Sequence, residues 1–132
     1  MNSEFRIPNP ESGTTAGDLK DRTKKFSLRI IRLVESLPRS SVARILGNQL
    51  LAAGTSVGAN YRASCKSRST AEFVAKIGVV EEEADECCFW LELIMEAGLM
   101  PSSRVKALHK EADELTAIMA ASRITASKRR TR

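Results

Sequence analysis

Residues that could do chemistry are few in this chain, and their spacing matches no known catalytic set. The single histidine, His109, has no carboxylate three residues before it, so the Glu-x-x-His pattern of a di-iron helical bundle is absent. The chain also lacks a Ser/His/Asp set and a glycine-rich loop that could hold a phosphate group. The sequence therefore predicts a non-enzymatic protein with no metal and no other cofactor.

The three cysteines, Cys65, Cys87 and Cys88, form no Cys-x-x-Cys pair and are odd in number. This usage is typical of small buried apolar residues in a reducing compartment. A redox switch at Cys87 and Cys88 is the alternative, and no neighbouring residue supports it. Since the chain shows no secretion signal and no run of about 18 apolar residues, we expect a cytoplasmic protein that does not enter a membrane.

Charge is segregated along the chain. Residues 1–68 hold 12 Lys/Arg against 5 Asp/Glu, residues 69–122 hold 4 against 11, and residues 123–132 hold 5 against none. Such asymmetry is an argument about partners rather than about fold. Cations that could contact nucleic-acid phosphates lie at the end of helix two and in the C-terminal segment: Arg62, Lys66, Arg68, Lys128, Arg129, Arg130 and Arg132.

The acidic run at 81–86 does not resemble a metal site, because adjacent helical positions point about 100° apart. Glu82 and Glu86 share one helix face at four-residue spacing, where like charges repel. We expect Arg62 or Arg44, in the same or a neighbouring subunit, to lie opposite them and form an ion-pair seam.

Small residues are concentrated in helix two, where Gly54 and Gly58 lie within a helical segment. Each interior glycine costs a helix about 1 kcal/mol relative to alanine, so a compensating close contact is expected. The sequence predicts that Gly54, Gly58 and Asn60 lie in a helix or oligomer interface.

Apolar periodicity predicts an all-α protein: an antiparallel up-down-up-down four-helix bundle with long helices two and three. Ser69 and Glu72 are expected to form a capping box that opens helix three, and Gly98 to end it. The predicted domain contains residues 18–122, between a disordered leader (1–17) and a disordered basic tail (123–132). The predicted inward-facing positions are, helix by helix, Phe26, Ile30, Leu33 and Leu37; Val42, Ile45 or Leu46, Gln49 or Leu50, Ala53, Val57 and Asn60; Phe73, Ile77, Val80, Ala84, Cys87, Leu91 and Ile94; and Val105, Leu108, Ala112, Leu115 and Met119.

Several motifs resemble the four-helix bundle family of the 23S ribosomal RNA intervening-sequence protein. They are Leu37-Pro38, Gln49-Leu50, Ser56-Val57-Gly58-Ala59-Asn60-Tyr61-Arg62-Ala63, the segment from Ser69 to Lys76, and the segment from Val80 to Glu86 followed by Trp90-Leu91-Glu92. The similarity extends over roughly residues 24–120. Many members instead carry Asn-Ile-Ala-Glu-Gly in helix two, so this chain has a cation where they have a carboxylate.

The resemblance implies a small bacterial protein that forms a ring-like homopentamer. A related group, the accessory variability determinant of diversity-generating retroelements, binds nucleic acid and a reverse transcriptase. Two hypotheses follow: an oligomer that binds RNA or DNA through phosphates in an accessory role, or a structural or adaptor assembly that binds a protein partner and uses charge to set subunit register.

Overall fold

Four α-helices build the part of the chain that the computed structural model describes, residues 15–130 apart from the side chain of Arg130. They are α1 (Ala16–Glu35), α2 (Ser41–Ser64), α3 (Thr70–Glu96) and α4 (Lys106–Arg130), with a short 3₁₀ turn at Ser102–Arg104 before α4. Residues 15–130 contain no strand, which confirms the predicted all-α class with long second and third helices.

Contacts between side chains show that the helices run antiparallel to their neighbours. Gly54 of α2 faces Ile30 of α1, whereas the earlier Gly47 faces the later Val34 and Leu37. On the other side, α3 and α4 are joined by Glu81 to Arg123 and by Glu92 to His109. Helix α4 returns to α1, and this closes an up-down-up-down bundle.

The predicted seams of α3 and α4 are buried at every position, and Phe26, Ile30 and Leu33 are buried on α1. On α2, Leu50, Ala53 and Val57 are buried as predicted, but Val42 and Ile45 are 54% and 57% exposed. Ala43, Gly47, Gly54 and Tyr61 are buried as well. The physical reason is that small residues on this face let α1 approach closely, and this turns the larger Val42 and Ile45 outward.

Capping hydrogen bonds explain where α1 and α3 begin. Helix α1 begins two residues before the predicted Asp18, because Thr15 and Asp18 form a capping box. At α3, Ser69 accepts a hydrogen bond from the Glu72 N–H, but the Glu72 carboxylate accepts from the Arg68 N–H rather than from Ser69, so the predicted box is only half formed.

Gly98 ends α3 as predicted, with φ at 71°. The Leu99 N–H donates to the Ile94 carbonyl and the Gly98 N–H to that of Met95, the bonds of a Schellman motif.

The predicted basic tail is helical over residues 123–130, where a disordered segment was expected. No glycine or proline interrupts this stretch, Ala126 packs against the core, and the Arg123 guanidinium bonds to Glu81 at 2.7 Å. Residues 1–14 and 131–132, including Arg132, lie outside the described part of the chain.

The closest approach of α1 to α2 is at Gly54. A Cβ atom on Gly54 would lie 2.6 Å from Ile30 Cγ2 and 2.7 Å from Cγ1, closer than side chains tolerate. At Gly58 the nearest atom is the Ser27 hydroxyl oxygen, at 2.7 Å, and the backbone carbonyl oxygen of Thr23 lies at 3.3 Å. These two glycines therefore serve a helix contact within one subunit.

We expect Gly54→Ala to lower the melting temperature, because overpacking costs about 1–3 kcal/mol and exceeds the helix-propensity gain of about 1 kcal/mol. The matched variant is Gly78→Ala, also within a helix, where the new Cβ would meet only Arg123 Cδ at 3.8 Å. That variant should raise the melting temperature, since alanine is favoured by about 0.5–1 kcal/mol in a helix interior. Thermal unfolding followed by circular dichroism measures both, and a stabilising Gly54→Ala would contradict the close contact.

Candidate nucleic-acid interface

The cations predicted from sequence lie at one end of the bundle. Antiparallel order brings together the start of α1, the end of α2 and the end of α4. Arg62, Lys66 and Arg68 are exposed where α2 ends, and Lys128 and Arg129 are exposed in the last turn of α4. Arg130 continues the α4 backbone. The exposed side chains of Arg62, Lys66, Arg68, Lys128 and Arg129 are called the basic end below.

A groove between α1 and α2 adds two further cations to Arg62. The groove has a volume of about 480 Å³, is open to solvent, and has Lys20, Lys24 and Arg62 on its walls. The one carboxylate in its lining, Asp21, is bonded to Lys25 at 2.9 Å. None of the three groove cations has a carboxylate within ion-pair distance among residues 15–130. Such a groove can accept an anion such as a phosphate.

A second groove, between α1 and the start of α4, is lined by three arginines: Arg29, Arg32 and Arg104. Its floor includes the buried Leu33 and Leu108, and no carboxylate lines it. All three arginine side chains are exposed, and none forms an ion pair with another described residue. The mutual repulsion of three guanidinium groups is therefore not offset within residues 15–130.

The acidic residues of α4 are used in ion pairs within the chain. The Arg22 guanidinium donates to both oxygens of Glu111, at 2.7 and 2.8 Å, and to Glu114 at 3.0 Å. These contacts raise the pKa of Arg22, chiefly through the hydrogen bonds to Glu111. Arg22 therefore ties α1 to α4 and is not available to a phosphate, whereas its neighbours Lys20 and Lys24 are.

Two acidic residues of α3, Glu82 and Glu86, do not pair with these cations. Glu82 and Glu86 are exposed and form no ion pair with any described residue. The predicted pairing with Arg62 or Arg44 is absent within the subunit, because Arg62 lies on the α1 side of α2. Pairing of Glu82 and Glu86 with Arg62 or Arg44 of a neighbouring subunit stays a prediction. Asn60 donates to its own helix, to the Ser56 carbonyl at 2.9 Å and to the Ser56 hydroxyl at 2.7 Å.

Exposed apolar side chains are concentrated on α2 and α3. Val42 and Ile45 are exposed on α2, and Val79 and Phe89 on α3. Val79 lies three residues before Glu82, and Phe89 lies three residues after Glu86. Because Glu82 and Glu86 are four residues apart, all four side chains share one face of α3. We call Val42, Ile45, Val79 and Phe89 the apolar α2/α3 surface.

All three cysteines are buried and free. Burial raises the pKa of the Cys88 thiol to about 11, and burial together with the charge of neighbouring groups raises that of Cys87 as well. Burial also raises the pKa of Cys65, although the Lys20 cation opposes it. These thiols are protonated near neutral pH, which favours the interpretation of the cysteines as core residues over a redox switch.

Among residues 15–130 no group of three or more His, Cys, Asp or Glu side chains is placed to hold a metal ion. No helix of this part of the chain is long and apolar enough to cross a membrane. His109, 30% exposed, lies 2.8 Å from a Glu92 carboxylate oxygen and so belongs to the contact between α3 and α4.

Lys20, Lys24, Arg29 and Arg32 are not among the cations predicted from sequence to contact phosphates, and the sequence did not group them with Arg62 or Arg104. The grouping depends on which flank of α1 faces α2 and which faces α4. The step from Lys20 to Lys24, and that from Arg29 to Arg32, could have indicated two rows, since residues three or four apart share a helix face.

Comparison with known proteins identifies the family. The model of the 23S rRNA-intervening sequence protein family matches residues 18–121, so the chain belongs to that family. A crystal structure of a protein of unknown function from the S23 ribosomal protein family of Bacteroides thetaiotaomicron is 28% identical, with a TM-score of 0.72. The match covers 76% of this chain and 94% of that one. No curated protein matches the chain.

Glu83, beside the unpaired acids of α3, gives a testable pH dependence. Burial, and then the charges of Glu86 and Glu82, raise the pKa of Glu83. Because the pKa of Glu83 is higher in the folded than in the unfolded protein, the free energy of unfolding is highest where Glu83 is protonated in both. This stability is lost as the pH rises through the folded-state pKa. Glu83→Gln should therefore raise the melting temperature near neutral pH, with no difference from wild type below about pH 4, where the unfolded glutamate is protonated too.

The control for the change in net charge is Glu96→Gln, an exposed residue of the same helix. Glu83 forms no ion pair among residues 15–130. If Glu83→Gln lowers the melting temperature near neutral pH, a cation must lie against Glu83 in solution, which would contradict this arrangement.

Proposed function

We propose that this member of the 23S rRNA-intervening sequence protein family is a non-enzymatic, homo-oligomeric accessory protein that binds nucleic acid through phosphate contacts in the cytoplasm. The observation that carries the proposal is the gathering of Lys20, Lys24 and Arg62 in one groove without a free carboxylate. Lysine and arginine side chains arranged in this way bind phosphates and release the counterions condensed on nucleic acid. The basic end continues the same positive surface through Lys66, Arg68, Lys128 and Arg129.

The apolar α2/α3 surface supports self-association. Four large apolar side chains of α2 and α3 are exposed, between 39% and 57% of their area. Exposed apolar patches are typical of interaction sites. The unpaired Glu82 and Glu86 lie beside this surface, where cations of a neighbouring subunit would offset their repulsion. The family resemblance implies a pentamer. Several copies of the basic end in one particle would strengthen phosphate binding without any new type of contact.

The second candidate function is an adaptor assembly that binds a protein partner. The same apolar α2/α3 surface favours it, because four large apolar side chains are exposed there. In this alternative the cations of α1 only keep the protein soluble, and nucleic acid would not bind.

A salt titration of nucleic-acid binding tests the proposed function. We expect tight binding at about 50 mM salt and a steep linear fall of log K with log salt concentration. A triple variant should reduce the magnitude of that slope by about two to three, because each lost phosphate contact removes about 0.7–0.9 from it. The variant combines Arg62→Gln, Lys66→Gln and Arg68→Gln. Fluorescence anisotropy with labelled RNA and DNA measures both quantities. Absence of binding at low salt would refute the function and favour the adaptor.

The native mass tests self-association through the apolar α2/α3 surface. Ile45→Glu and Phe89→Glu should reduce the particle to the 14.5 kDa monomer, because each places a charge in an apolar contact. Leu28→Glu is the matched control, since Leu28 is 41% exposed but lies on α1, away from α2/α3. Native mass spectrometry gives the stoichiometry directly. A monomeric wild-type protein, or dissociation by Leu28→Glu alone, would contradict this interface.

A further inference from the structure

We infer that the nucleic acid this chain binds is duplex DNA, with α1 lying along the major groove and its two flanks contacting the phosphates of the two strands. The inference rests on the proposed function and names the class of ligand for the same surface. Its basis is the placement of six unpaired cations in two rows, one on each side of a single exposed helix: Lys20, Lys24 and Arg62; and Arg29, Arg32 and Arg104.

The two rows lie on opposite flanks of α1. Lys20 and Lys24 line the groove that α1 forms with α2, where Arg62 completes the first row. Arg29 and Arg32 line the groove that α1 forms with the start of α4, where Arg104 completes the second row. Each pair on α1 is separated by about one helical turn, so each row runs roughly along the helix axis.

The ridge between the rows is formed by the outermost residues of α1. Asp21 and Lys25 are bonded to each other at 2.9 Å, and Leu28 is 41% exposed. The ridge therefore carries no net charge from this pair and presents one apolar side chain. The exposed Glu35 shares this face seven residues after Leu28 and forms no ion pair among residues 15–130. The part of the ridge before it, residues 21–28, therefore suits a groove between two negative strands.

The dimensions favour DNA in the B form. A helix with its side chains is about 10–12 Å across, and the major groove of B-DNA is about 12 Å wide and admits a helix. Cations on the two flanks of one helix are thus spaced to reach phosphates on both walls of that groove. The major groove of A-form RNA is deep and narrow and excludes side chains. The surface therefore fits DNA duplexes better than RNA duplexes.

The aromatic residues argue against a single strand as the ligand. Proteins that bind single strands usually stack bases on exposed aromatic side chains. In the part of the chain that the structure describes, Phe26 is the aromatic residue of α1, and it is buried. Phe89, 51% exposed and packed edge-on against Trp90, lies on α3 instead. The α1 face offers charge in two rows and no stacking surface.

The test measures binding of the 132-residue chain to three probes of one sequence. The probes are duplex DNA of about 30 base pairs, roughly three helical turns, its single strand, and the matching RNA duplex. We expect duplex DNA to bind about tenfold or more tighter than either other probe, because each of these can engage only one row of cations. Two triple variants then neutralise one row each: Lys20→Gln, Lys24→Gln and Arg62→Gln; and Arg29→Gln, Arg32→Gln and Arg104→Gln.

Each row variant should reduce the salt slope for duplex DNA by about two to three. The control triple, Arg39→Gln, Arg44→Gln and Lys110→Gln, changes net charge equally at exposed positions outside both rows and should reduce the salt slope by less than about one. All nine positions are exposed, so melting temperatures should match wild type. Equal affinity for the single strand, or sensitivity to one row only, would overturn the inference while leaving phosphate binding intact. No binding of any probe at about 50 mM salt would overturn the proposed function as well.

Discussion

The close contact between α1 and α2 is the constraint on which the rest of the structure depends. Ile30 occupies the space that a side chain at position 54 would fill, with its Cγ2 atom 2.6 Å from where a Cβ would lie. Ser27 makes a similar contact at Gly58 and donates a hydrogen bond to the Gly54 carbonyl at 2.8 Å. Because this face of α2 is fixed against α1, Arg62 is held beside Lys20 and Lys24, and Val42 and Ile45 are turned to solvent.

The charge on the surface of the subunit depends on which acidic residues form ion pairs within the chain. Glu111, Glu114 and Glu81 are bonded to Arg22 and Arg123, and these ion pairs join α4 to both of its neighbours. What remains is an excess of cations on α1 and an excess of acids on α3. In a bundle closed in the order α1, α2, α3, α4, these two helices are diagonal to one another. The two excesses therefore face opposite sides of the subunit and cannot neutralise each other within it.

Much of the fold could be predicted from sequence because periodicity and capping are local signals. The seven inward positions of α3, from Phe73 to Ile94, are all buried as predicted, and Gly98 ends that helix. The exposure of Val42 and Ile45 on α2 could not be predicted from hydrophobicity, since both residues are more apolar than the buried Ala43 and Gly47 beside them. Likewise, the helical end of α4 depends on Glu81, a residue 42 positions away from Arg123.

The candidate site was only partly predictable for the same reason. Arg62, Lys66 and Arg68 could be identified as a local cluster, whereas the groove that Arg62 shares with Lys20 and Lys24 needs the register between two helices. Arg104 could not be assigned a role from sequence, because its neighbours Arg29 and Arg32 come from the opposite end of the chain.

The central claim is that nucleic acid lies along α1, and the most direct measurement is the reactivity of lysines in the presence and absence of duplex DNA. Each lysine would be acetylated at low salt and quantified by mass spectrometry. We expect Lys20 and Lys24 to become protected on binding, while Lys110, exposed on α4 outside both rows, reacts as before. Unchanged reactivity of Lys20 and Lys24 in a saturated complex would contradict the central claim.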